Sequence, residues 1–200
     1  MLFRSRSLVP PLGSARKENQ MKLFYLCCFF CISSVLFCQS SKYPSGIIYG
    51  PKAAFKIDAP KGWILDNKAG LSNGLPCVLY LKGSTWKDSP VIMYAKIAST
   101  EFENVDEFIK FAIKGFLKED SNFVYQRHSI RAINKSNSAI VNNYIGGPYH
   151  SYERVAYIQV PQAVCYIVFS SSNKEDFAKY SDALLSTVDT FVYKPEYIKK

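Results

Sequence analysis

The chain has 200 residues, 48% of them apolar and 15% aromatic, which suffices for one ordinary domain with a buried core and is too apolar for a disordered chain. Of its formal charge of +9, residues 1–40 contribute five Lys/Arg and one Glu, leaving about +5 on the rest. The remaining lysines are scattered singly, as at Lys56, Lys61, Lys82 and Lys96, so no basic block tracks a phosphate backbone and nucleic acid is not an expected partner.

From Met21 the chain runs Met-Lys, an uncharged apolar stretch Leu23–Cys38, then polar Gln39 to Lys42. The apolar run is shorter than the roughly 20 residues of a membrane span. With a positive start and a polar exit, it reads as a cleaved signal peptide, with cut sites after Cys38 or after Ser40. Residues 1–20 are polar and interrupted by Pro10 and Pro11, and read as a non-native upstream extension with translation starting at Met21. The expected organisation is therefore 1–20 extension, 21–40 signal peptide and 41–200 one domain, secreted or periplasmic in a Gram-negative type of bacterium. A membrane is met only during export, unless Cys38 is acylated and anchors an envelope lipoprotein. Phe37 argues against that, because such signals usually place a small residue there.

In the expected mature chain, Ala53–Ala59 alternates as a half-buried strand, closed by Pro60 and Gly62. Cys77–Leu81 and Val91–Ala98 continue it as an antiparallel meander. The period then changes: Val105, Phe108, Ile109, Ala112, Ile113 and Phe116 share one helical face, and Asn104 with Glu107 forms the start signal. Four strand-like runs follow, at Phe123–Ala132, Ala139–Ile145, Tyr152–Val160 and Val164–Phe169. A last helix is predicted from Ser172, with Glu175 completing a capping box, and buries Phe177, Tyr180, Leu184, Val188 and Phe191. This order implies an α+β fold, a mostly antiparallel sheet covered by two amphipathic helices.

The first strand and its exit, Phe55-Lys-Ile-Asp-Ala59-Pro60-Lys-Gly62-Trp63, together with this element order and the closing Val188-Asp-Thr-Phe191, resemble the PsbP-like group. That group spans photosystem II extrinsic subunits, a Ran-binding import factor and bacterial exported proteins of the DcrB type. The resemblance implies an α/β/α sandwich that serves as a binding or accessory module without catalysis of its own. It carries over no functional residue.

Chemistry is sparse in the sequence. His128 and His150 are the two histidines, and neither stands at metal-ligand spacing from Cys, His or carboxylate. No hydrolase elbow, phosphate loop or dinucleotide fingerprint is present, so no catalytic, metal or cofactor residue is assigned and no cofactor is expected. Cys77 and Cys165 remain after signal removal. They are either two buried thiols or a disulfide closing a long loop, worth about 4 kcal/mol in the chain-entropy account. Two contact surfaces are read: Trp63 with the Asp66–Gly74 loop and Trp86, and the tight turn Gly146–Tyr152 that displays Tyr149, His150 and Tyr152. The expected function is an exported non-enzymatic binding or accessory module for an unknown protein or envelope component. The alternative is an exported hydrolase with a dispersed site, such as Cys77 or Ser151 beside His150.

Overall fold

The computed structural model describes residues 46–198 apart from 100, 103, 136 and 147–150. The proposed extension, signal peptide and Cys38 lie outside these described residues. Five strands come first: β1 (Ile47–Tyr49), β2 (Ala54–Lys56), β3 (Trp63–Asp66), β4 (Val78–Leu81) and β5 (Val91–Ile97). Helix α1 (Val105–Glu119) follows, then β6 (Val124–Ala132), β7 (Ser138–Gly146), β8 (Ser151–Val160) and β9 (Ala163–Ser171). Helices α2 (Lys174–Tyr180) and α3 (Ala183–Val188) and a short strand β10 (Val192–Tyr193) complete the chain. Strands β3 to β9 form one seven-stranded antiparallel sheet in the order β3-β4-β5-β9-β8-β7-β6, while β1, β2 and β10 make a small antiparallel sheet centred on β2. The fold is α+β, as the element order implies.

Alternate side chains of a strand point to opposite faces, and this divides the core in two. On one face Leu79, Met93, Ile158, Ile167 and Phe169 meet Phe55 and Ile57 of the small sheet and Leu184, Val188 and Phe191 of the C-terminal segment. On the other, Tyr144, Val155, Tyr157 and Val168 pack with Ile109, Phe108, Ile113 and Phe116 of α1. The layers are thus one helix, the large sheet, and a mixed layer of small sheet and two short helices.

Helix α1 begins where the sequence places it: the Asn104 side chain accepts from the backbone N–H of Asp106 at 2.8 Å and of Glu107 at 3.3 Å. The C-terminal helix differs from expectation. It is two short helices, broken at Ser181 and Asp182, and its cap is Asn173, which accepts from the Asp176 N–H at 2.7 Å, instead of Ser172. Arg154 donates to the Asp182 carboxylate at 2.6 Å, holding the break against β8. Both halves then turn their apolar residues to the same sheet face.

The first predicted strand is likewise reassigned. Within that run only Ala54–Lys56 is strand, and it belongs to the small sheet; the meander beside β5 is β3 and β4, so Trp63 and Ile64, ahead of the Asp66–Gly74 loop, lie in a strand of their own. The small sheet is closed at Gly46, whose carbonyl accepts from the Ile57 N–H at 2.9 Å. Gly46 has φ of +87°, and a Cβ there would lie 2.2 Å from the Ile57 carbonyl oxygen, so only glycine fits this corner.

Candidate functional site

Trp63 is held within the core edge. It stands opposite Leu81, and its ring meets Phe169 edge-on at 6.2 Å between centroids. Trp86 is half-buried in the loop between β4 and β5, where the Thr85 hydroxyl donates to Asp88 at 2.6 Å and the Ser84 hydroxyl to the Leu81 carbonyl at 2.7 Å. Among the described residues no ring contact joins the two tryptophans. Tyr149 and His150 lie outside the described residues.

Tyr152 is described, and it anchors a different surface. In register, Val124 of β6 faces Ile145 of β7, and Ile145 faces Tyr152 of β8, so the three share one row on the face away from α1. Val124 is 57% exposed and Ile145 45%, while the Tyr152 ring leans on Phe177 of α2 at 6.0 Å. The next row holds Gln126, Asn143 and Arg154. Arg154 is buried there, with its Nε donating to Asn143 Oδ1 at 2.9 Å, Nη1 to Asp182 at 2.6 Å, and its guanidinium 5.5 Å from the Phe177 ring. At this end of the sheet the α2–α3 layer reaches Tyr152 and Arg154 of β8 and leaves Val124 and Ile145 as an open apolar corner, whereas at the other end Ala139 and Val141 are buried and Arg131 meets Asp189. Exposed apolar residues grouped in this way mark contact surfaces.

Outermost strand β6 carries a bulge between Arg127 and Ser129, which leaves His128 without a partner residue in β7. The His128 imidazole is exposed, yet burial against the protein, then the Arg154 charge, lowers its pKa, with Asp182 pulling the other way. Arg131 is bonded in bidentate fashion to Asp189 at the end of α3, which drops the Asp189 pKa. From Ser121 to Gly146 the charged side chains are Arg127, Arg131 and Lys135, with no Asp or Glu.

A second polar group lies under α1. Asn142, 2% exposed, donates through Nδ2 to the Tyr144 hydroxyl at 3.0 Å, and Tyr144 and Tyr157 share a hydroxyl–hydroxyl bond of 2.8 Å. Asn142 Oδ1 has no hydrogen-bond partner among the described residues. Half-buried Glu153 points to the same side, and desolvation pushes its pKa up to about 7 against the opposing pull of the Ser170 and Ser151 hydroxyls. Tyr157 is raised well above its ordinary value by burial and by Tyr144.

Cys77 and Cys165 are free, buried thiols on the aliphatic face. Strand β5 separates them: the Cys77 carbonyl accepts from Ala95, and Cys165 stands opposite Ile97. Burial, then the Asp66 carboxylate, pushes Cys77 up to about 12, and burial pushes Cys165 up as well, so neither thiol is poised as a nucleophile. Ser151 is buried, with its hydroxyl committed to Glu153. Among the described residues no group of three or more His, Cys, Asp and Glu is placed to hold a metal ion, and no helix is long and apolar enough to cross a membrane.

Sequence reasoning named Tyr152 but missed Val124, Ile145 and Arg154. Their roles depend on which neighbour covers each strand. One signal was available for β6: Val124–Ala132 carries Gln126, Arg127, His128 and Arg131 on both sides of its alternation, the mark of an edge strand.

No family profile matches the chain, and no curated protein matches it. Among solved structures it is similar to cyanobacterial PsbP (CyanoP) from Synechocystis, with 9% identity over 80% of this chain and 99% of that one and a TM-score of 0.45. It is similar to LpqN of Mycobacterium tuberculosis, a protein involved in cell envelope biogenesis, with 12% identity over 78% and 88% of the two chains and a TM-score of 0.46. The Ran-binding protein Mog1p of Saccharomyces cerevisiae is similar at 11% identity over 69% and 89%, with a TM-score of 0.44. The PsbP-like resemblance read in the sequence is thus met among solved structures, as a likeness of fold alone.

Proposed function

We propose that this protein is an exported, non-enzymatic binding or accessory module whose contact surface is the open corner of β6, β7 and β8. The observation that carries the reading is the row Val124–Ile145–Tyr152, two of whose members are apolar and about half exposed beside the covered core of that face. Flanking side chains are fixed by the Arg154 network, so the surface is preformed and binding orders little. Export is supported by the Leu23–Cys38 run behind Lys22. The partner is a protein or another envelope component.

A photo-crosslinking side chain at Val124, compared with one at Leu71, which is also about half exposed but lies far from the corner in sequence and sheet order, tests the surface in cells. An adduct formed from Val124 alone, and lost on Ile145→Lys, is expected. Equal labelling from both positions, or none from Val124, sinks the reading. Intact mass of the native protein tests export: a chain beginning at Gln39 or Ser41 supports it, and a full-length cytoplasmic chain overturns it.

A further inference from the structure

We propose that β6 receives an extended acidic peptide segment as an additional strand of the large sheet. The inference rests on reading the β6–β8 corner as the contact surface, and names the form and charge of what docks there. Strand β6 is nine residues long and stands at the end of the strand order, so one side of its backbone has no strand partner among the described residues. A free edge is a template for another chain, and proteins blunt such edges by shortening, covering, charging or bulging them; β6 is neither short nor covered, and its charge and bulge shape what can pair with it. Here the edge is long and flanked by apolar side chains on both faces: Val124 on one, and Tyr125, 51% exposed, and Ile130, 64% exposed, on the other. The register sets these faces, because Tyr125, Arg127 and Ile130 oppose Tyr144, Asn142 and Ile140, which are alternate residues of β7.

Charge selects among occupants. Arg127, Arg131 and Lys135 are the charged residues between Ser121 and Gly146, so a second copy pairing edge to edge would bring like charges together. An acidic strand meets the opposite situation. Arg131 is already bound to Asp189, whereas Arg127 is exposed and stands between Tyr125 and Ile130 on one face. A carboxylate beside Arg127 with apolar neighbours on either side satisfies that face, and main-chain hydrogen bonds supply the rest of the affinity. The bulge at His128 breaks the edge into two registers, which restricts how the incoming strand can slide.

The test uses the purified protein and a fluorescein-labelled peptide as long as β6, alternating glutamate with valine. Saturable anisotropy is expected, weakened about tenfold or more by Arg127→Glu, with backbone amides of Val124–Ala132 becoming slower to exchange hydrogen. The same peptide N-methylated at alternate residues, which cannot complete the ladder, is expected to lose binding. Equal binding of the N-methylated peptide, or of a lysine-for-glutamate peptide, overturns the proposal. So does self-association of the protein through β6 that excludes the peptide, which would assign the edge to a second copy. If no acidic peptide binds while crosslinking from Val124 persists, the added strand is refuted and the contact surface stands; if both fail, both fall.

Discussion

The two faces of the large sheet are built from different chemistry by the same strands. The face toward the small sheet is aliphatic, filled by Leu79, Met93, Ile158, Ile167 and Leu184 with the stacked pair Phe55–Phe191, and is buried except at the open corner of β6 and β7. The α1 face is aromatic, with Phe108, Phe116, Phe123, Tyr144, Tyr157 and Tyr166 in ring contact, and keeps polar atoms inside: Asn142, the two tyrosine hydroxyls and Glu153. The first face therefore draws its stability from close packing, whereas the second depends on hydrogen-bond geometry and on pH.

Three substitutions sharpen that contrast. Phe169→Ala removes a fully buried ring that both Trp63 and Phe177 pack against, and is expected to cost about 3–5 kcal/mol in urea unfolding. A loss below about 1 kcal/mol would contradict the packing account. Next comes Glu153. Its carboxyl holds a proton in the fold up to about pH 7 but only to about 4.5 when unfolded, so its contribution is fully present below 4.5 and declines as pH rises through 7. His128, whose pKa is lowered, runs the opposite way near its own titration and makes the difference between variants the informative quantity. Glu153→Gln should flatten the slope between pH 5 and 8, with a gain of about 2 kcal/mol at the alkaline end after screening. An unchanged slope would remove Glu153 from the account. The smallest effect is Tyr157→Phe, which deletes one buried hydroxyl–hydroxyl bond at nearly constant volume and should cost about 1 kcal/mol. A cost matching Phe169→Ala would mean the polar group, and not the rings around it, holds α1 to the sheet.

How much of this was legible in the sequence follows from where the causes lie. The α1 cap and the four strands from β6 to β9 rest on local signals, the Asn104 side chain and long alternating runs, and both are found. The small sheet rests on strands of two or three residues, too short to show a period, and on pairing between Lys56 and Val192. The break in the last helix is stabilised by Arg154, in a strand well upstream of Asp182. At the contact surface, Tyr152 stood out by residue type, but Val124 looks like any strand residue until β6 is known to be an edge and its first residues are seen to lie beyond the cover of α2. Glu153 was hidden for the same reason: alternation shows that it faces away from Arg154, not what lies on that side.

Strand β10 bears on how the chain is made. Val192 and Tyr193 complete the sheet that begins at Ile47, the Lys194 N–H donates to the Ala54 carbonyl at 2.8 Å, and Phe191 stacks on Phe55 at 5.1 Å. A nascent chain that has not reached residues 191–193 has neither that strand nor that ring, so β1 and β2 can pair with each other while the second edge of β2 and the Phe55 ring wait for them. Closing the small sheet is thereby a late step of folding, one that ties the last strand of the fold to its first hairpin.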